Sequence, residues 1–199
     1  MTQCQASRKV LLVCHPNPDA DSLGSACAFK HYLQSLNVPA TLFCVTSAPK
    51  GLLFLPHANE LQTNPIIFND ATIDTVITFD AGDLRYLEIV DLLPRIPGNP
   101  KVINIDHHAS NEHYGDINMV QIDAASTTEV LYRFFQEVGF DLDADVATCL
   151  FAGIINDTDH FSNAATTASA MSVASDLITH GARINAVRAG MLQNKSVSL

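Results

Sequence analysis

Four short runs of apolar residues stand out along the chain, and they are rich in β-branched and aromatic side chains. They occupy residues 9–14, 40–46, 75–80 and 101–106. The runs are continuous rather than alternating, which is typical of strands that are buried on both faces of a parallel sheet. The pattern therefore predicts a mainly parallel sheet at the centre of the molecule.

Segments with helical periodicity lie between and after these strands. Four helices are predicted, at residues 22–37, 126–139, 144–156 and 167–182. Ser126 and Glu129 have the spacing of a capping box at the start of the second helix. Strands that first alternate with helices, and are then followed by several helices, indicate an α/β domain. We expect its sheet to be flanked by helices and its C-terminal half to be helical.

Composition narrows the classes of partner. The 199 residues carry a net charge of −10, and the 11 basic side chains form no run, which disfavours long nucleic-acid duplexes. An acidic chain still binds small phosphates where bound cations invert the local charge. The five cysteines form no CxxC pair, and no apolar run reaches the ~20 residues of a membrane helix. We expect a cytoplasmic, soluble protein with no membrane partner.

Acidic and imidazole side chains follow three of the four predicted strands. His15 follows the first, Asp80 ends the third, and Asp106 ends the fourth, where two histidines come next. Because the carboxyl ends of parallel strands meet at one edge of the sheet, these groups should converge. The expected cluster comprises His15, Asp19, Asp21, Asp80 and His107, with Asp157 as a further member after an apolar helix.

This set offers carboxylate oxygens and two imidazoles but no thiolate, which favours Mn²⁺ or Mg²⁺ over structural zinc. So many ligands exceed what one catalytic ion with open positions takes, and two ions that share a carboxylate fit better. Each residue alone has a simpler interpretation. Asp19 could cap a helix, Asp80 could form a turn, and one of His107 and His108 could simply be packed.

Four stretches resemble, in order, the four motifs of the DHH phosphoesterase superfamily. They are "HPNPDADSLGS", "VITFDAGD", "INIDHHASNEHYGDIN" and "GIINDTDHF". A fifth stretch, "DAASTTEVL", resembles the segment after the DHH motif in one branch of the superfamily. That branch contains oligoribonucleases, 3′-phosphoadenosine-5′-phosphate phosphatases and cyclic-di-AMP phosphodiesterases. The resemblance implies an Mn²⁺-dependent hydrolase, with Mg²⁺ or Co²⁺ as alternatives, that converts short oligonucleotides or nucleotide phosphates to mononucleotides.

The resemblance also implies a role for each matching residue. One Mn²⁺ ion would be held by His15, Asp19 and Asp80, and the second by Asp21, Asp80, His107 and Asp157. Asp80 would bridge the ions, and a water molecule between them would be the nucleophile. Asp106 would orient an imidazole, and His108 would contact the phosphate or assist the leaving oxygen. Gly24 would let the first helix approach the site with its N-terminus.

The chain departs from the family pattern in two places. The branch usually reads Thr-Asp-Thr-Gly at the fourth motif, whereas this chain reads Asn156-Asp157-Thr158-Asp159, which could alter substrate entry or metal preference. The substrate-binding motif of the family's second domain is absent. We therefore expect a DHH catalytic domain at residues 1–184 and the start of an interdomain linker at residues 185–199. The second domain would act in cis or in trans.

Two other functions stay open at the level of sequence. A pyrophosphatase or exopolyphosphatase-like DHH enzyme would share the metal ligands. The other is a non-catalytic module that binds metal or nucleotide, although the complete set of candidate ligands weighs against it, because a degenerate site would be expected to lose ligands. A haloacid-dehalogenase-type phosphatase is rejected, because His15 rather than a nucleophilic Asp stands at the tip of the first strand.

Overall fold

A five-stranded sheet organises the part of the chain that the structure describes, which is residues 6–194 of a computed structural model, with side chains to residue 191. The strands are β1 (Val10–Val13), β2 (Ala40–Phe43), β3 (Thr75–Phe79), β4 (Lys101–Asp106) and β5 (Ile117–Val120). Their order in the sheet is β2-β1-β3-β4-β5, and every neighbouring pair is parallel. The predicted parallel sheet is confirmed.

The fifth strand is the one that the sequence pattern does not predict. β5 lies at an edge of the sheet, and its first residue, Ile117, is 47% exposed. The other three residues of β5 are only partly buried. By contrast, all four residues of β1 are fully buried. A half-exposed edge strand has no continuous apolar run, so it lacks the signal that identifies the central strands.

Helices pack against the sheet and dominate the second half of the chain. They are α1 (Ala20–Ser35), α2 (Thr127–Val138), α3 (Ala144–Asp157), α4 (Ala168–Thr179) and α5 (Ile184–Asn194). The first four match the predicted helices to within a few residues at each end. α5 occupies much of the segment that we predict to be linker, and residues 195–199 lie outside the described residues. No helix within 6–194 is both long and apolar enough to cross a membrane.

The helix ends follow the capping signals in the sequence. Asp19 caps α1, since its Oδ1 accepts hydrogen bonds from the backbone N–H groups of Asp21 and Ser22, both at 3.0 Å. Ser126 caps α2 by accepting from the N–H of Glu129 at 3.0 Å. The Glu129 carboxylate returns to the N–H of Ala125 at 2.8 Å rather than to that of Ser126. These caps fix where the two helices begin, and both beginnings border the candidate site.

Gly24 lies where α1 and α3 approach each other closely. A Cβ atom at this position would lie 2.7 Å from the backbone oxygen of Cys149 in α3. Gly24 therefore permits the close packing of α1 against α3. This packing places the first and fourth motifs side by side.

Candidate metal centre

The sheet brings three of the predicted groups to one edge. His15 lies just past the end of β1, Asp80 directly follows β3, and His107 directly follows β4. The register pairs Val13 with Thr78 and Phe79 with Ile105, so the carboxyl ends of these strands lie at similar positions along the strand direction. Residues that are 27 to 92 positions apart in sequence therefore meet, as the rule for parallel sheets predicts.

His15, Asp19 and Asp80 form the first group. The Nε2 atom of His15 lies 3.7 Å from Oδ1 of Asp19 and 3.5 Å from Oδ2 of Asp80. Its Nδ1 atom lies 3.0 Å from the carbonyl oxygen of Pro16, which can only accept a hydrogen bond. Nδ1 therefore carries a proton, and Nε2 is the atom that faces the carboxylates. His15 and Asp80 are both buried, so water screens this contact poorly.

Asp21, His107 and Asp157 form the second group. The Nε2 atom of His107 lies 3.3 Å from Oδ2 of Asp157 and 3.6 Å from Oδ1 of Asp80. Its Nδ1 atom lies 3.3 Å from the carbonyl oxygen of Ala124, to which it donates. Nε2 is buried, and it has no hydrogen-bond partner among the described residues. Asp80 stands between the two groups, because its two oxygens face different histidines.

The donor atoms fit divalent cations. In each group, one atom from every residue lies within 4.8 Å of the others. A buried imidazole nitrogen without a partner, next to carboxylates that repel one another, is an unfavourable arrangement unless a proton or a metal ion lies among them. Oxygen and imidazole ligands without thiolate suit Mn²⁺ or Mg²⁺. The two groups, joined at Asp80, could therefore hold two such ions.

The close approach of the imidazoles and carboxylates shifts their pKa values. Burial lowers the pKa of His15, but hydrogen bonds with Asp19 and Asp80 outweigh it and raise the pKa to about 11. Burial likewise opposes the effect of Asp157 and Asp21 on His107, whose pKa is raised to about 9. A ring proton and a metal ion compete for the same Nε2 atoms.

Asp21 joins the site to the start of α2. Its carboxylate is fully buried and accepts the N–H of Thr127 at 2.7 Å, the N–H of Thr128 at 2.9 Å and the hydroxyl of Thr128 at 2.7 Å. Burial is the main cause that raises the pKa of Asp21 to about 7, and the charge of Asp157 adds to it. Gly153 of α3 makes room, since a Cβ there would lie 2.5 Å from Oδ1 of Asp21.

Asp80 is held in an unusual backbone conformation. Its φ of 58° lies in the left-handed region, which Asp and Asn adopt more readily than other residues with a Cβ. The hydroxyl of Thr127 donates to its Oδ1 at 3.3 Å. Burial and the charge of Asp21 raise the pKa of Asp80 to about 6. The conformation turns the chain at the tip of β3 where the two groups meet.

Asp106 orients His108 and also accepts a hydrogen bond from the backbone of His107. Its Oδ1 accepts from Nδ1 of His108 and from the backbone N–H of His107, both at 2.8 Å. Its Oδ2 accepts from the amide of Asn111 at 2.5 Å, and Asn104 holds that amide in turn through a 2.8 Å bond. The side chain of His108 is half exposed. Because Nδ1 is held by Asp106, Nε2 is the atom of His108 that can reach a substrate.

Asn156 has a bridging role that the sequence alone does not reveal. Its amide nitrogen donates to Oδ2 of Asp19 at 3.0 Å and to Oδ1 of Asp157 at 2.9 Å. It thus connects one carboxylate of each group. Asp159, the other departure at the fourth motif, is exposed at a φ of 44° and lines a neighbouring cavity of about 390 Å³.

An open cleft of about 370 Å³ lies over the two groups. It is lined by His15, Asp19, Asp80, Gly82, Asp83, Tyr86, His108, Ser110 and Asp157. This lining contains no Lys or Arg. Within this lining, a phosphate would therefore meet positive charge from bound cations and from the imidazoles of His15 and His108.

Comparison with known proteins finds two types of relative, an oligoribonuclease and PAP phosphatase and an inorganic pyrophosphatase. The chain is 28% identical over 175 residues to the "Bifunctional oligoribonuclease and PAP phosphatase NrnA" of Thermus thermophilus, covering 88% of this chain and 51% of the relative. It is 24% identical over 180 residues to a "Probable manganese-dependent inorganic pyrophosphatase" of Streptococcus mutans, covering 85% and 54%. The chain spans about half the length of these curated relatives.

A solved structure and a family model agree with this. An exopolyphosphatase-related protein from Bacteroides fragilis superposes with a TM-score of 0.87 at 22% identity, covering 99% of this chain and 60% of that protein. At this identity the likeness establishes the fold. The family model described as "DHH family, N-terminal domain" matches residues 9–154. The chain therefore belongs to the DHH family, a family of phosphoesterases, and it corresponds to the N-terminal domain of its members.

Proposed function

We propose that this chain is the catalytic part of an Mn²⁺-dependent phosphoesterase that cleaves short oligonucleotides or nucleotide phosphates to mononucleotides. The observation that carries the proposal is the meeting of two ligand groups at Asp80, with the Nε2 atoms of His15 and His107 directed at its two oxygens. When bound, two ions would neutralise the carboxylates and the phosphate and lower the pKa of the attacking water. His15, Asp19 and Asp80 would hold one, and Asp21, Asp80, His107 and Asp157 the other.

The protein residues contribute orientation and a proton. Asp106 raises the pKa of His108 and holds its Nδ1, so His108 can carry a second proton on Nε2 in the cleft. In hydrolysis of a phosphodiester, water adds to phosphorus and the P–O bond to the leaving ribose oxygen breaks. His108 is placed to donate its Nε2 proton to that oxygen or to a phosphate oxygen.

The charge of the cleft favours a nucleotide ester over pyrophosphate. At the phosphate that is attacked, a phosphodiester such as that of pApA carries one negative charge, whereas pyrophosphate at neutral pH carries several. The cleft lining holds four aspartates, which are Asp19, Asp80, Asp83 and Asp157, and no Lys or Arg. A substrate with more charge at the reacting phosphate would depend more strongly on bound cations and on the expected second domain, since this lining provides no Lys or Arg. The resemblance to NrnA-type proteins points in the same direction.

The test is release of 5′-AMP from the linear dinucleotide pApA with Mn²⁺, in the wild-type chain and in Asp80→Asn. Asn tolerates the left-handed backbone at this position, so the fold should persist while a shared ligand is lost. We expect activity and bound Mn²⁺, read by electron paramagnetic resonance, to fall by more than ~100-fold. Asp141→Asn, at an exposed position on the loop before α3, is the matched control and should leave both unchanged.

Each alternative gives a different result. Phosphate release from pyrophosphate with pApA untouched would indicate a pyrophosphatase instead. Tight, Asp80-dependent Mn²⁺ binding without hydrolysis of pApA at millimolar concentration would indicate a binding module. Because the second domain of the family is expected to grip the substrate, in cis or in trans, the chain alone should show a high KM for pApA. A KM as low as that of a two-domain relative would contradict the expectation that the second domain supplies most of the substrate affinity.

The compartment is part of the same proposal. The four cysteines that the structure describes, Cys14, Cys27, Cys44 and Cys149, are free and buried. Buried thiols in this state suit a reducing compartment. We place the activity in the cytoplasm, where short oligonucleotides and nucleotide phosphates are the available substrates.

A further inference from the structure

Tyr86 is an aromatic side chain that the fold leaves at the mouth of the cleft. It is 53% exposed, although the neighbouring Leu87 is fully buried. Its ring centroid lies 5.3 Å from that of His15, with the two planes at 35°. The ring thus lines the cleft directly beside a candidate metal ligand. An exposed ring in this place contributes little to folding, since most of its apolar surface stays in water.

The backbone under Tyr86 is fixed rather than free. Oδ1 of Asp83 accepts the N–H of Arg85 at 2.7 Å and the N–H of Tyr86 at 2.9 Å. This turn follows β3 closely, and Leu87 anchors its far side in the core. A ring on a fixed backbone loses little conformational freedom when a partner packs on it.

We infer that Tyr86 is the stacking surface for the base of the nucleotide whose phosphate occupies the metal centre. The inference rests on the proposed function and adds a preference for base-bearing phosphates. Its basis is the position of an exposed phenol ring next to His15, in a cleft that lacks Lys and Arg. Stacking tolerates any base, because every base has a π face. The face of Tyr86 would therefore favour nucleotides over inorganic phosphates without requiring one sequence.

The first experiment compares two ligands that differ only in the base. AMP and ribose 5-phosphate are titrated against the full chain with Mn²⁺, in wild type, Tyr86→Phe and Tyr86→Ala. We expect Tyr86→Ala to weaken AMP binding about 5- to 150-fold, which corresponds to one stacked base, and to leave ribose 5-phosphate unchanged. Tyr86→Phe keeps the ring and should bind AMP nearly as well as wild type does.

The second experiment uses the absence of tryptophan from the sequence. Tyr86→Trp then introduces a single tryptophan, which can be excited selectively over the three remaining tyrosines, and stacking of AMP on it should quench its emission, while ribose 5-phosphate should not. Met171→Trp, at a 56% exposed position on α4, is the control and should respond to neither ligand. This readout does not depend on turnover.

The outcomes separate the inference from the proposed function. A chain that cleaves pApA but binds AMP and ribose 5-phosphate equally would overturn the stacking role and leave the phosphoesterase intact. Loss of both ligands in Tyr86→Ala would also overturn it, because the ring would then act on the site as a whole. A chain that cleaves nothing and binds neither ligand would overturn both.

Discussion

Substitution of Gly153 by Ala should damage the candidate site from inside helix α3. A Cβ at this position would collide with Oγ1 and Cγ2 of Thr128 and would lie 2.5 Å from Oδ1 of Asp21. Both neighbours are buried and bonded to each other, so neither can easily move away. The added methyl must therefore displace the contact between Asp21 and the start of α2.

The size of the effect follows from three contributions. Overpacking by one methyl group costs ~1–3 kcal/mol. Loss of the hydrogen bond from the Thr128 hydroxyl to the Asp21 carboxylate costs ~1.5–3 kcal/mol. The better helix propensity of Ala offsets ~1 kcal/mol of this. We expect the free energy of unfolding of Gly153→Ala to be lower than that of wild type by ~1.5–5 kcal/mol.

Urea denaturation in the presence of a chelator measures this free energy without a contribution from bound metal. Thr128→Ala and the double variant complete the cycle. Removal of the Thr128 side chain relieves most of the collision, so the double variant should lose ~0.5–3 kcal/mol less than the sum of the single losses. The packing argument is refuted if Gly153→Ala is more stable than wild type by the ~1 kcal/mol of helix propensity alone. It is also refuted if the effects of Gly153→Ala and Thr128→Ala on the free energy of unfolding are additive.

Three further predictions concern the centre and its surroundings. Asn156→Ala should weaken Mn²⁺ binding about 10- to 100-fold in an electron paramagnetic resonance titration, because the carboxylates of both groups lose their common amide. Mn²⁺ affinity should rise with pH through about 9, where His107 loses its ring proton, and on toward about 11, where His15 does, because ring protons compete with the metal; a flat profile by calorimetry would contradict this. Hydrogen bonds, first from Lys30, lower the pKa of Glu60, so Glu60→Gln should be less stable than wild type at pH 7. That deficit should shrink in urea denaturation as the pH falls below about 4.3 and Glu60 takes up a proton.

The central strands and the converging ligands were predictable because simple rules govern them. β1, β3 and β4 are buried on both faces, so they appear as continuous apolar runs. Their common direction then brings His15, Asp80 and His107 to one edge. Neither step requires any knowledge of side-chain positions.

The rest of the site depends on contacts between distant side chains, which no local pattern encodes. The carboxylate of Asp21 bonds to Thr128, 107 positions away, and the amide of Asn156 bonds to Asp19, 137 positions away. The exposure of Tyr86 depends on the path of its turn over the core. The sequence reveals Asn156 only as a departure from the family pattern, and it does not show what the amide does.

The origin of the candidate ligands has a consequence for the lifetime of the protein. They come from β-strand ends, from the start of α1 and from the last residue of α3, between residues 15 and 157, so any opening that separates these elements must release a bound ion. Ligand that binds only the folded chain raises its stability by ~2.7 kcal/mol at 100 times the dissociation constant. Cells short of manganese would then lose this chain to proteases at a higher rate, and the supply of metal would set how much of the protein persists.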